Sequence, residues 1–304
     1  MAKRNRFSFY LKYSLFIALL LECSLRAFFS VQHQSAAVLL RPTALLETYY
    51  PGIEAARGAD VSANNGMVDV LLLGASVLDS SWSNIHQELQ LRLEARYQCA
   101  INVVNLSKPS HTSLDSKIKY ALLQNNHYDA IVLYHGINET RFNNCPPALF
   151  QADYSHVEFY PDVLAVSNAL SAWSILPHTV HLLKKAWAAQ TGATEQVPYN
   201  LPENPEWQAF GADVKTSGSY MANYTNIIET ANKRGIPVLV PSFATYVPAN
   251  YSKEAFEAKQ LDYSEPICPI EVWGIAAYVQ SGVAAHNAAM TELCANVGAL
   301  QNLH

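Results

Sequence analysis

Charge is scarce in this chain. Only 15% of its 304 residues are Asp, Glu, Lys or Arg, the formal net charge is −5, and half of the residues are apolar. A disordered, solvating segment needs the reverse balance, and a nucleic-acid binder needs a basic face or stripe; neither fits. There is no Gly-X-Y period, heptad seam or repeat of about 20–50 residues, which removes collagen, coiled coils and solenoids. The five cysteines form no Cys-x-x-Cys pair and no Cys/His set with zinc spacing. Cys23 falls in a hydrophobic segment, and the other four (Cys99, Cys145, Cys268, Cys294) allow three pairings or free thiols, among which sequence does not choose. Neither Gly-x-Gly-x-x-Gly after the first strand nor a Gly-Lys-Ser/Thr loop is present, so dinucleotide and P-loop fingerprints drop out. No metal or organic cofactor is implied. What remains is a core-forming chain of one large domain or two modest ones.

Its hydrophobicity is concentrated at one end. Lys3, Arg4 and Arg6 precede an apolar stretch from Tyr10 to Leu21 that contains Lys12, followed by Glu22, Arg26, Phe28 and Phe29. The uncharged run at 13–21 has signal-peptide length rather than the ~20 residues of a span. A span over residues 9–29 would carry Glu22 and Arg26, four apart and able to pair on one helix face, with Arg26 reaching toward the headgroups. Arg26, Phe28 and Phe29 occupy the zone where a small-residue cleavage site would lie. Residues 1–31 therefore read as an uncleaved single-pass signal-anchor, with a cleaved signal of a secreted protein, or a buried amphipathic helix, as alternatives. The basic flank places the N-terminus in the cytoplasm and the rest outside.

Residues 32–66 read as a turn-rich connector with Pro42, Pro51, Gly52, Gly58 and Asn64-Asn65-Gly66. From residue 67 onward, strands alternate with helices. Residues 68–73 read as a short apolar run ending at Gly74, as expected of a strand buried on both faces, and residues 101–104, 130–134 and 236–240 read as the next three strands. Between them, residues 83–97 (Ile85, Leu89, Leu93), a helix capped by Ser113, and a face of Tyr220, Tyr224, Ile227, Ile228 and Ala231 show helical spacing. A last helix over 271–297 leads to a fifth strand at Gly298-Ala299-Leu300. The proline-rich stretch 141–211 reads as an insertion or lid. The expected fold is α/β: three layers, with a mostly parallel sheet flanked by helices over 67–304.

In such a sheet, ligands bind beyond the carboxyl ends of the strands. Strand one ends in Gly74-Ala75-Ser76, strand two runs into Asn105-Leu106-Ser107-Lys108-Pro109-Ser110-His111, and strand three ends in His135-Gly136-Ile137-Asn138. A hydroxyl beside backbone and amide N–H donors is what acyl transfer requires.

These blocks resemble the SGNH (GDSL-like) hydrolases, over about residue 68 to the end. The resemblance implies a flavodoxin-like three-layer fold and an ester hydrolase, with Ser76 as nucleophile. The oxyanion would be held by the N–H groups of Ser76 and Ser110 and the side-chain amide of Asn138, with Gly74, Gly136 and His111 around the bound substrate. Two positions depart from the family pattern: Ala75 stands for the usual Asp, and Ser110 for a Gly, at a cost if positive φ is required there. The family's Asp-x-x-His, which supplies acid and base, is missing: Asp262 is the last Asp and His304 the last residue. The expectation is a chain cut before that block and inactive by itself, because Ser76 without its base is a poor nucleophile. The implied substrate is an acyl ester, with an O-acetylated carbohydrate as one form. An O-acyltransferase on a surface glycan and a degenerate glycan-binding domain are the alternatives.

Plainer readings stand beside these. Ser76 and Asn138 each suit a helix cap or turn. His135 is expected to pack or bond locally rather than serve as base, Asp79 to be a charge at a helix start, and the lid aromatics to be packing. His178 and His181 sit i, i+3 without a nearby carboxylate or cysteine. Asn105, Asn138, Asn223 and Asn250 begin Asn-x-Ser/Thr triplets, which arise often by chance. Leu78 stands where an α/β-hydrolase elbow needs Gly.

Overall fold

A computed structural model describes residues 2–59, 61, 65–191, 196–199, 204–261 and 268–297. The expected fifth strand at 298–300, Asp262 and His304 lie outside the described residues. In chain order the elements are α1 Ala2–Gln32, α2 Ala37–Leu40, α3 Leu45–Tyr49, α4 Ile53–Gly58, β1 Val68–Gly74, α5 Ile85–Tyr97, β2 Ile101–Asn105 and α6 Ser113–Leu122. There follow β3 Ala130–Tyr134, α7 Ile137–Arg141, α8 Tyr160–Ser167, α9 Leu176–Thr191, α10 Ser217–Asn232, β4 Val238–Leu239, α11 Lys253–Glu257 and α12 Ala276–Val297. They form two compact units: Met1–Pro51 with Glu158–Glu195, and Gly52–Val157 with Gln196–His304.

The second unit holds the sheet, whose order is β2-β1-β3-β4 with every pairing parallel. β1 is central, and after Val68 each of its residues is buried. Its one charged residue, Asp69, takes the Asn65 and Asn102 amides at 2.8 and 2.7 Å, which satisfies the carboxylate. Gly74 pairs with Tyr134, so β1 and β3 end level, and Asn105 pairs with Leu72, so β2 ends two residues earlier. α10 buries the expected face of Tyr220, Tyr224, Ile227, Ile228 and Ala231.

Four local readings are corrected. β4 is two residues long because Pro237 and Pro241 flank it and neither can donate to a ladder. α12 begins at Ala276 rather than 271, since residues Ile270–Val272 form a 3₁₀ turn and Gly274 follows at φ +130°. α6 is capped from Thr112, one residue before Ser113: the Asp115 carboxylate accepts the Thr112 N–H at 2.7 Å in a capping box. α5 has helical spacing but no fully buried residue, with Ile85 exposed and Leu89 and Leu93 half-buried.

The first unit consists of α1, α2, α3, α8 and α9. Glu22 and Arg26 pair at 2.6 Å, as their spacing predicts. The Arg26 guanidinium is turned to protein, however, donating to the carbonyls of Leu39, Leu40 and Trp173. His181 also gains a partner invisible in sequence: Asp162 of α8 lies 2.8 Å from its Nε2, and that carboxylate accepts from Lys185 as well. All five cysteines are free thiols.

Gly74 is where packing at the strand ends is tightest. A Cβ there would sit 2.9 Å from the Tyr134 carbonyl and 3.2 Å from Ser107 Oγ. Gly74→Ala should therefore destabilise by about 1–3 kcal/mol, the usual cost of overpacking against backbone. Urea denaturation of the variant is the measurement.

Candidate active site

Three loops meet beyond β2, β1 and β3. The first, after β1, carries Ser76 in the 3₁₀ turn Ser76–Leu78. It is tied to β2 and its loop by the Asn105 amide donating to Leu78 O at 2.6 Å and by Lys108 Nζ 3.1 Å from the Asp79 carboxylate. That pairing lowers the Asp79 pKa against a burial cost, together with hydrogen bonds from Ser81 that outrank it. Asp79 thus holds the loop. The second and third loops are joined where Asn138 Nδ2 donates to His111 O at 2.8 Å and Ser113 N donates to Glu139 Oε1 at 2.6 Å.

Ser76 is 8% exposed, and its hydroxyl has no hydrogen-bond partner among the described residues. It is nonetheless not sealed: Ser107 Oγ is a fully buried polar atom without a partner, and Ser76 Oγ is not. Ser110 is half-buried and turns through the left-handed region at φ +62°. Among the described residues neither the Ser76 nor the Ser110 N–H finds an acceptor. Asn138 is 5% exposed, and its amide is oriented from both ends: Trp273 Nε1 donates to its Oδ1 at 3.1 Å while its Nδ2 faces His111 O. One Nδ2 hydrogen remains beyond that bond. Nothing in the sequence pattern marks Trp273, which the expected helix over 271–297 absorbs and the structure instead leaves just before α12.

Both nearby histidines are occupied. His135 is 1% exposed, its Nε2 lies 2.6 Å from Ser116 Oγ, and burial first and Lys119 second push its pKa down to about 3. His111, placed around the substrate by sequence, is only 5% exposed, with Nδ1 against Lys119 Nζ. Burial and then the Lys119 charge hold it well below its ordinary value. Lys119 is itself buried, donates to Leu106 O at 2.6 Å, and is lowered to about 7 by desolvation. It is a structural hydrogen-bond donor under the second loop that helical periodicity conceals.

Gly136 packs against Phe243, which stacks on Tyr134 at 4.8 Å. Asn287 of α12 holds Phe243 at its backbone from both sides, at 2.8 and 3.0 Å. Of the four Asn-x-Ser/Thr triplets, Asn138 and Asn223 are buried, Asn105 is half-buried and bonded, and Asn250 is exposed. No group of three or more His, Cys, Asp or Glu able to hold a metal occurs among the described residues.

No protein-family model matches the sequence, and no curated protein matches it. Among solved structures, the chain is similar to the lipase/acylhydrolase from Enterococcus faecalis at 12% identity, over 77% of this chain and 74% of that one, with a TM-score of 0.33. It is also similar to a psychrotrophic esterase from a Pseudoalteromonas species (11% identity, 77% and 76% covered, TM-score 0.34). A third match is a GDSL-like lipase from Bacteroides thetaiotaomicron (11% identity, 83% and 98% covered, TM-score 0.30). These are likenesses of fold.

Behind the loops, Glu139 is fully buried with Oε2 unpartnered, and desolvation raises it from 4.5 to about 7. Between those values the unfolded chain releases this proton and the folded chain keeps it, so stability falls as pH rises through the window, by on the order of 3 kcal/mol. Glu139→Gln keeps the acceptor for Ser113 and removes the charge. It should raise the denaturation midpoint at pH 8 and leave it nearly unchanged at pH 4, as read by urea titration at both.

Proposed function

We propose that this chain is a membrane-anchored serine ester hydrolase domain of SGNH type. Ser76 Oγ attacks the acyl carbonyl, and the oxygen that becomes negative is received by the N–H groups of Ser76 and Ser110 and by Asn138 Nδ2. The alcohol leaves with a proton, and water then releases the acyl group from the serine. The observation that carries this reading is the fixed amide of Asn138, whose donor end lies on the same joined loops as two unclaimed N–H groups. The left-handed turn at Ser110 supports it, because a serine held there reverses its peptide at some conformational cost. His111 and His135 are engaged elsewhere. An O-acetyl ester of a carbohydrate is the proposed substrate class, with transfer to a glycan acceptor as the variant of the same chemistry.

The anchor is α1, where residues 8–32 are long and apolar enough to cross a bilayer. A signal sequence passes the same test. The basic flank at Lys3, Arg4 and Arg6 favours the sheet-bearing unit lying outside the cytoplasm.

One observation favours a second reading, a glycan-binding domain without chemistry: no side chain among the described residues bonds Ser76 Oγ. A fluorophosphonate probe on the full chain separates the two. Labelling that vanishes in Ser76→Ala supports the hydrolase, labelling that survives removes Ser76 as nucleophile, and no labelling of the wild type favours binding alone. Trp273→Phe keeps the ring and loses the bond to Asn138. It should lower kcat for an aryl acetate by roughly 10- to 100-fold, somewhat less than deleting an oxyanion donor outright, with KM and Tm little changed.

A further inference from the structure

Where α1 enters the first unit, apolar side chains stand unusually bare. Residues 8–21 of α1 are exposed throughout. At its next turns Glu22 and Arg26 clamp it to the unit. Glu22 accepts from Ser174 Oγ at 2.7 Å and from Ile175 N at 3.0 Å. Arg26 donates to Glu22 at 2.6 Å, to Trp173 O at 2.7 Å, and to the carbonyls of Leu39 and Leu40 at 3.2 and 3.3 Å. One guanidinium thus gathers three residues whose side chains face outward: Leu40 is 83% exposed, Trp173 82% and Leu39 46%, with Leu170 beside Trp173 at 72%.

We infer that Leu39, Leu40, Leu170 and Trp173 form a collar that seats the first unit in the boundary between headgroups and acyl chains of the bilayer. The inference rests on the anchor reading of α1 and adds a second contact to it. Three things favour a lipid surface. The collar is continuous with the bare apolar helix, so the bilayer that receives one meets the other. Its composition, with a Trp among leucines at the helix exit, is that of an interfacial belt. Finally, the two charges at the exit are spoken for: the Glu22 carboxylate and Arg26 guanidinium pair with each other and bond to hydroxyl, amide and carbonyl partners, which lessens the cost of holding them in a medium of low dielectric.

The collar also fixes depth. α1 is 31 residues long, about 46 Å, more than the ~30 Å of hydrocarbon. With the collar at the boundary, the bare stretch before Glu22, residues 8–21, reaches about 21 Å into the hydrocarbon, and Lys3, Arg4 and Arg6 lie beyond it toward the opposite headgroups.

The experiment uses the full chain in phosphatidylcholine vesicles whose acyl chains are brominated near their ester ends, which quench nearby tryptophan emission. The wild type should stay with the vesicles through a carbonate wash. Trp173→Phe should lower the lipid-dependent quenching measurably. The Trp173 side chain is 82% exposed, so the change is not expected to unfold the chain. Retention with quenching unchanged in Trp173→Phe overturns the collar and leaves the anchor standing. Release of the wild type by carbonate overturns the anchor, and the collar with it.

Discussion

At Gly74 the end of β1 lies so close to Tyr134 O and Ser107 Oγ that no side chain fits between them. Because β1 is central and parallel to both neighbours, its last residue sits level with Tyr134 of β3, and Leu72 sits level with Asn105 of β2. Three loops then leave from one edge within reach of one another. Their cross-links, Asn105 to Leu78 O, Asn138 to His111 O and Ser113 N to Glu139, depend on that common starting line. A register slip of one residue would invert every strand side chain and part the loops together. The chemistry proposed for Ser76, Ser110 and Asn138 is therefore a consequence of strand alignment more than of any single contact.

That alignment was largely legible from sequence. Residues 68–73, 101–104 and 130–134 are apolar but for Asp69 and Asn102, and all three are strands, although only β1 is buried along nearly its whole length while β2 and β3 stay partly open. The resemblance puts a Gly at the place of Ser110, at a cost if positive φ is required, and Ser110 does turn through φ +62°. What periodicity missed was set by partners far away in the chain. Asp162 meets His181 from a different helix, Trp273 reaches Asn138 across 135 residues, and Lys119 lies buried on a helix where its spacing looks ordinary. Local signals failed where two of them competed: Thr112 and Ser113 are both good caps, and Asp115 decides for the first because it stands three residues on. The apolar spacing of α5 overstated its burial, since spacing records a face without saying what covers it.

The polar interior beneath the loops works against stability. Glu139, Lys119 and His135 are all buried, and desolvation is the leading cause of each displaced pKa. The groups nevertheless hold main chain: Lys119 takes Leu106 O, Glu139 takes Ser113 N, and Tyr220 takes His135 O. Each fastens a strand end or the start of a loop. A purely apolar interior would be cheaper in desolvation, yet it would leave those carbonyl and N–H groups without partners, at a cost of similar size for each.

The same trade explains why the third loop depends on a segment far along the chain. Asn138 alone, at the start of the five-residue helix α7, could rotate its amide by half a turn at little cost, presenting Oδ1 where a donor is needed. Trp273 prevents this, because an indole N–H only donates and so selects the oxygen. The carbonyl of His111 selects the nitrogen from the other side. Trp273 is itself placed by the turn Ile270–Val272 and by Gly274, whose φ of +130° few residues other than glycine accept. The Asn144 amide donates to the Trp273 carbonyl at 3.0 Å and packs over Gly274. Orientation of one amide at the rim is thus referred back through a tryptophan and a glycine to the connection between β4 and α12, where loop geometry rather than a regular element sets the direction of the donor.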